Sequence, residues 1–508
     1  MTKSLGCVPG SVVGFGSLRC LPRRAVRDFS SRNGAKQCQA LTWVARDPHS
    51  VTPKDIIAAY AHLRPPSEQS AVVPILFASP EFTPWIEPAS PLLAEWATPL
   101  FNKIYPSNAP DVVHTVAAVV DRISTPRGKN NTLLGAEGIS LLLADSSCVT
   151  ASIAPPTRLR SSIAEEPSFF VEAKSAFKNG TDSQLSHEVG LRLAQTVFRN
   201  GRDKTLLGMR WTRDRSSNTY SLDECRELST CFVTPLATKA HCSIKTPLYP
   251  VTQRRRVVSS MGNILRQVSK SAIGEDDMNT GIPASSELEK ELPRYVSELG
   301  IPHQRVAVWA LVEPSKTDLT TKARTRRDFQ ESILSGSKIH RVVSGGGGWG
   351  KKQGLLSLDP EITFEGQHRR PRSVSLGELF QAQTTNASLA EMSAYRDASE
   401  GKGLEENMAS LSQVASPGDY IQFFVASDSL GSAEVVNQAA ANLSYSFGVE
   451  APLETETVGS SAAASRGEDV TIIPNHFGAI SESAISYSHE NISTKISVPG
   501  SRVELLVE

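Results

Sequence analysis

What the chain lacks narrows it before any motif is considered. No uninterrupted apolar stretch approaches the ~20 residues of a membrane-spanning helix, since the best run, Val112–Val120, carries His114 and Thr115. Aromatic residues make up only 6% of the chain, so side chains that stack on bases are few, and no RNP-type alternation of Gly and Phe occurs. No Gly-x-Ser-x-Gly elbow, His-Glu-x-x-His helix or pair of Cys-x-x-Cys motifs is present, which removes the common hydrolase, zinc-protease and zinc-module signatures. Net charge is absent as well: 53 Lys+Arg balance 53 Asp+Glu over 508 residues. With 39% apolar residues and ordinary numbers of Gly (34) and Pro (31), disordered and collagen-like chains are excluded. A globular protein without a membrane span is expected.

Carboxylates are missing from one region in particular. Residues 1–27 hold Lys3, Arg19, Arg23, Arg24 and Arg27 and no acid, the first being Asp28. An Arg-rich, Ser-containing, acid-free amino terminus is the composition of a mitochondrial transit peptide. Arg27-Asp28-Phe29-Ser30-Ser31 resembles the matrix-protease pattern, so residues 1–29 are read as a presequence cleaved after Phe29 and the address as the mitochondrial matrix. Gly14, Gly16 and Pro22 interrupt the apolar core that a secretory signal needs. Cys38, Cys148, Cys225, Cys231 and Cys242 would remain after cleavage, an odd and scattered set unlike a disulfide framework. Cys225, Cys231, His241 and Cys242 are the only cluster resembling a zinc set, but they lack paired short spacings. No metal and no cofactor is expected.

Thr52-Pro53-Lys54-Asp55 opens a helix, with Ile56, Ile57, Tyr60 and Leu63 at helical spacing. Val72–Ala78, Val112–Val120, Gly138–Ala144 and Ser168–Glu172 are near-continuously apolar, as strands covered on both faces are. Asn200-Gly201 predicts a hairpin joining Ala194–Arg199 to Lys204–Trp211, and Thr212–Ser221 reads as a loop. Arg254-Arg255-Arg256 leads into Val257, Met261, Ile264, Leu265 and Val268, which predicts a basic amphipathic helix followed by an acidic linker. Ser286 and Glu289 suggest a capping box for a helix through Leu299. Val306–Val312 and Lys338–Val343, with a basic helix Thr321–Leu334 between them, suggest a β-α-β crossover. From Val374 onward there are 18 acids and 5 bases. Within that section Tyr420–Ala426 and a helix near Ser432–Leu443 promise order, whereas 398–417 and 454–469 are Ser/Ala/Gly/Glu-rich.

The expected fold is thus α/β or α+β: two domains with mixed sheets flanked by helices, plus an acidic, partly disordered C-terminal region. The divisions are 1–29 presequence, 40–250 N-terminal α+β domain, 251–285 basic helix and acidic linker, 286–445 α/β domain with a Gly-rich loop, and 446–508 tail.

One segment stands out chemically. Gly345, Gly346, Gly347, Gly348, Trp349, Gly350, Lys351 and Lys352 follow the strand Lys338–Val343. Four successive glycines let backbone N–H groups converge into a nest for phosphate oxygens. The spacing copies most of a Walker A loop but puts Lys352 where a magnesium-binding hydroxyl belongs, and Gly354 with Pro360 opposes the helix that should follow. Three readings stand: a glycine turn, an RNA-contacting loop with Trp349 stacking, and a loop for a small phosphorylated ligand. From Lys322 to Arg372, eleven Lys/Arg oppose five acids, an excess that phosphate polymers exploit. Arg324, Arg326, Arg327, Arg341, Arg369 and Arg370 are the candidate partners of the loop, and Arg254, Arg255, Arg256 and Arg266 extend the surface if adjacent in space. His114 reads as a core histidine, and Asp359 and Glu361 as caps of the turn at Pro360 rather than magnesium ligands. The functional expectation is a non-catalytic mitochondrial matrix factor contacting RNA or the mitochondrial ribosome. An enzyme binding a phosphorylated metabolite or nucleotide at the same loop and a scaffold or assembly factor for a respiratory complex are the alternatives.

Overall fold

The computed structural model describes residues 39–63, 71–106, 109–126, 135–154, 167–174, 186–194, 205–235, 239–270, 280–298, 306–315, 326–345, 354–362, 364, 373–381, 413–426, 443–451, 470–490 and 492–508. Strands are numbered β1–β26 and helices α1–α5 in chain order. Sheet dominates, in three assemblies. The largest runs β22 (Val470–Pro474), β1 (Ala40–Ala45), β5 (Glu137–Asp145), β2 (Val72–Ala78), β3 (Val112–Val119), β9 (Leu206–Asp214), β10 (Thr219–Val233), β7 (Ser168–Lys174), β8 (Ser186–Arg192), β24 (Ile485–His489) and β25 (Ile492–Ile496). β6 (Val149–Ile153) pairs with the distal half of β10 and carries β19 (Val374–Ser375). Among the described residues of this sheet only β2–β3 and β7–β10 are parallel, so the sheet is mixed.

The continuous apolar runs are explained by two-sided burial. On β2, Val73, Ile75 and Phe77 enter one core while Val72, Leu76 and Ala78 enter another on the opposite face. That second core lies under α1 (Pro53–Ala59) and α2 (Pro91–Ile104). Asp55 accepts bonds from the Thr52 N–H (2.8 Å) and hydroxyl (2.7 Å), fixing the start of α1 as the capping pattern requires. α2 buries Leu93, Trp96, Ala97, Leu100, Phe101 and Ile104, a helical stripe, and returns the chain from β2 to its parallel neighbour β3. Phe101 meets Trp211 and Tyr220 edge-on at 5.4 and 5.0 Å.

The first core is closed from the other side by β11 (Ala240–Lys245), β26 (Arg502–Val507), β21 (Leu443–Val449), β23 (His476–Ser481) and β4 (Arg122–Ile123), in that spatial order. Phe77 and Phe169 of the large sheet meet Phe477 of this one at centroid distances of 4.5 and 6.1 Å. At Asn475, with φ of +52°, the chain turns from β22 in one sheet to β23 in the other. Its N–H donates to the Ala40 carbonyl (2.8 Å) and its carbonyl accepts from Ser444 (2.9 Å), tying both sheets at one residue.

The third assembly comprises β12 (Leu248–Pro250), β13 (Arg255–Met261), β14 (Ile264–Ser269), β15 (Gly281–Pro283), β16 (Val308–Glu313), β17 (Lys338–Gly345), β18 (Leu356–Leu358) and β20 (Tyr420–Ala426). Around it lie α3 (Ser286–Glu298) and α4 (Arg326–Leu334), while α5 (Leu376–Gln381) packs near β6. Because β20 pairs with both β13 and β16, strands β20-β13-β14-β18-β17-β16 close into a six-stranded antiparallel barrel. Its interior is filled by Val257, Leu265, Val308, Leu358, Phe423 and their neighbours, as a barrel this narrow must be. Trp309, Leu311, Ile339 and Phe424, on the outward side of the same strands, join the first core and dock the barrel onto the sheets.

Several expectations are corrected. The fold is mostly β-sheet, in several sheets with a closed six-stranded barrel, and not the α/β arrangement of mixed sheets flanked by helices that the sequence suggests. Arg254–Val268 is a β-hairpin turning at Gly262 and Asn263, not an amphipathic helix. β16 and β17 are antiparallel neighbours, so no parallel β-α-β crossover exists there. Thr212–Ser221 is the tip of the β9–β10 hairpin. β8 pairs with β7 and β24, and β9 with β3 and β10; Asn200-Gly201 and most of the arm Ala194–Arg199 of the hairpin expected there lie outside the described residues. Strands β22–β26 occupy most of 470–508, where a partly disordered tail is expected. The presequence, the helix near Ser432–Leu443 and the 454–469 segment lie outside the described residues. Among the described residues no helix is long and apolar enough to cross a membrane.

Candidate functional site

β17 carries the chain to the glycine-rich segment, and the geometry at both ends of that segment explains its boundary glycines. A Cβ on Gly345 would lie 2.4 Å from Leu356 Cδ2 and 2.6 Å from the Leu355 carbonyl. Gly354 has φ +84°, and a Cβ there would meet the Pro283 ring at 2.6 Å. Side chains are thus excluded by close backbone approach and left-handed geometry. The segment joins β17 to β18, which pair antiparallel at Ser344–Ser357 and Gly345–Leu356. A phosphate-binding Walker loop needs a helix after the glycines; a strand follows here, which excludes that motif. Gly346, Gly347, Gly348, Trp349, Gly350, Lys351 and Lys352 lie outside the described residues, as do Arg324, Arg369 and Arg370. Arg326 and Arg327 begin α4.

Arg341 points outward from β17 and is exposed. Two strands away, across β18, Arg266 is exposed on β14. Two basic regions separated in sequence by more than a domain boundary's length of chain therefore meet on one barrel face. Neither arginine makes an ion pair among the described residues. The other arginines of the β13 strand region are engaged: Arg254 is ion-paired with the buried Glu313 and lies 3.9 Å above the Tyr420 ring, and Arg255 donates to Glu287 at 2.9 and 3.2 Å. Between the two outward arginines lie Ile264, Ser357 and Val343 (65% exposed), and Met261 (60% exposed) adjoins Ile264 from β13 on the far side of β14. The exposure of Met261 is missed by a helical reading of 254–268, which places it on the apolar stripe, and that of Val343 by reading Lys338–Val343 as a buried strand. The signal that finds Met261 is Gly262-Asn263 between two β-branched or apolar runs, a two-residue hairpin pattern.

Asp359 and Glu361 lie just beyond β18. Asp359 Oδ1 accepts from the Glu361 N–H at 3.1 Å, which is the turn-capping role expected of it. Lys495, on β25, donates to Asp359 Oδ2 at 2.9 Å and also to Glu361, while Arg192 of β8 donates to Glu361 at 2.6 Å. Both carboxylates are thus occupied by cations from the large sheet. His340 Nδ1–H donates to the Asp359 carbonyl at 2.7 Å, and burial lowers the pKa of its ring to about 4, so it is neutral at physiological pH. This network anchors the base of the β17–β18 hairpin to the rest of the molecule.

His114 is half-buried and stacks on Phe380 with centroids 5.3 Å apart, and burial followed by the nearby Arg210 charge lowers its pKa. Cys225 contacts the α2-side core while Cys231 and Cys242 are buried in the first core. Burial holds the Cys242 thiol up at about 12 and Cys231 higher still, so both are protonated. Among the described residues no three His, Cys, Asp or Glu side chains are grouped to hold a metal ion. No family model, curated protein or solved structure matches the chain.

Proposed function

We propose that the protein is a non-catalytic factor of mitochondrial gene expression that contacts RNA, free or within the mitochondrial ribosome, through the region 322–372. The observation that carries this reading is the excess of basic residues there, eleven against five acids in a chain of zero net charge. Around a hairpin whose flanking strand exposes Arg341, such an excess favours a phosphate polymer. The acid-free residues 1–27 supply the matrix address. A small phosphorylated ligand with a metal is the weaker reading, because Asp359 and Glu361 are already held by Lys495 and Arg192.

Salt-titrated RNA binding of the parent chain and of the double variant Lys351→Glu/Lys352→Glu tests the proposal. The parent is expected to bind with an affinity that falls by orders of magnitude between ~50 and ~200 mM salt, and the variant to bind more weakly with a shallower salt slope. Equal, salt-insensitive binding by both refutes it.

A further inference from the structure

Arg266, Met261 and Ile264 belong to a hairpin far in sequence from the basic region, yet the barrel brings them onto one face with Arg341 and Val343. The alternation explains how. On β17, β18 and β14 the residues Val342, Leu358 and Leu265 pack against the barrel interior. The intervening Arg341, Val343, Ser357, Ile264 and Arg266 consequently share the outer surface. Register shifts between Val342 and Ser344 and across Ser259–Ser260 crowd additional outward residues onto this patch. Adjacent strands lie about 4.8 Å apart and successive residues rise about 3.3 Å along each; with Leu265 opposite Leu356 and Val342 opposite Leu358, Arg266 and Arg341 sit on a diagonal of about 16 Å, a separation that an extended strand spans over a few nucleotides. Asp359, the acid at the edge of the patch, is neutralised by Lys495 at 2.9 Å.

We infer that the outer face of β13-β14-β18-β17 is a seat for single-stranded RNA, with Arg266 and Arg341 on phosphates and Met261, Ile264 and Val343 against unpaired bases. This rests on the RNA reading above and adds to it a second surface, outside the glycine segment, and a preference for unpaired RNA. Charge complementarity assigns a polyanion. The apolar centre selects the single strand, because a duplex offers this surface only sugars and phosphates while unpaired bases offer apolar faces.

The test is fluorescence anisotropy with the full chain, using an oligouridylate of about 12 nucleotides and a blunt duplex RNA of equal length. Arg266→Ala/Arg341→Ala is expected to weaken oligouridylate binding about tenfold or more and to flatten the logarithmic salt slope by about 1.4, the value for two single-strand phosphates. Met261→Ser/Val343→Ser, which keeps the charge, is expected to reduce the preference for the single strand over the duplex. All four side chains are exposed, so unchanged melting temperatures are expected and separate lost binding from lost fold. Arginine variants that bind like the parent, while Lys351→Glu/Lys352→Glu weakens binding, overturn this inference and leave the broader RNA reading standing. Equal affinity of the parent for duplex and single strand also overturns it. A parent chain that binds neither RNA overturns both.

Discussion

His476 makes the fold sensitive to mild acid, and the size of the effect follows from its surroundings. The residue begins β23, is 2% exposed, and its Nε2–H donates to the Ser124 carbonyl at 3.0 Å. Burial, then the nearby Arg502 charge, lowers its pKa to about 3. The unfolded chain binds a proton near pH 6.5 and the folded one does not, so stability falls as pH drops below 6.5 and the loss continues down to the folded value. Integrating from pH 7 to pH 5 gives about 2 kcal/mol lost from this group alone. His340, 2% exposed and lowered to about 4, contributes a similar amount with the same sign. Asp121 opposes them: burial raises its pKa to about 6, so the folded state gains stability from it as pH falls through that range. A comparison within one background isolates His476. His476→Gln keeps an N–H donor, is expected to cost about 1–3 kcal/mol at pH 7, and removes about 2 kcal/mol of the loss between pH 7 and 5. Equilibrium urea unfolding at both pH values, followed by tryptophan fluorescence, reads the difference. If parent and variant lose equal stability over that interval, His476 is not held neutral by burial and the reasoning fails.

Two further outcomes follow from the packing. Phe477→Ala opens a cavity where the two sheets meet against Phe77 and Phe169, and is expected to cost about 3–5 kcal/mol in urea unfolding; a cost below about 1 kcal/mol would place that ring outside the core. Lys495→Met strips the shared cation from Asp359 and Glu361 while keeping the stem, and is expected to cost about 1–3 kcal/mol at pH 7 because the carboxylates are only partly solvated. A cost below about 0.3 kcal/mol, the level of an exposed surface pair, would contradict the assignment.

Much of the fold was legible where burial is two-sided. Val72–Ala78 and Tyr420–Ala426 are strands with the expected bounds, and Gly138–Ala144 and Ser168–Glu172 differ by one or two residues at their ends. Local capping was legible too, although the cap of α3 is Ser285, whose hydroxyl donates to Glu289 at 2.7 Å, one residue before the expected position. Direction and pairing were not, because an apolar run says nothing about which way its neighbour runs. A helix-bearing connection between Val308–Glu313 and Lys338–Gly345 fits antiparallel as well as parallel strands. The 254–268 segment misled because its apolar spacing satisfies a helix as well as a hairpin with register shifts. The terminal strands were hidden by composition: only four of the 18 acids beyond Val374 lie in 470–508, so charge averaged over the whole section masked a polar-apolar alternation such as Ile485-Ser-Tyr-Ser. At the candidate site the arginine of β17 was visible in the sequence. That it shares a barrel face with Arg266 was not, since this depends on β18 pairing with both β14 and β17.

The last strands to emerge from synthesis each take a place beside strands made much earlier: β22 beside β1, β24 beside β8, and β26 beside β11. A polypeptide interrupted shortly before its end would present bare backbone along three early strands, a template for association with other chains. Pairings that span nearly the whole length also form late and slowly. The late strands thereby constrain the early ones: none of β1, β8 and β11 has all of its described pairings until β22, β24 and β26 are in place.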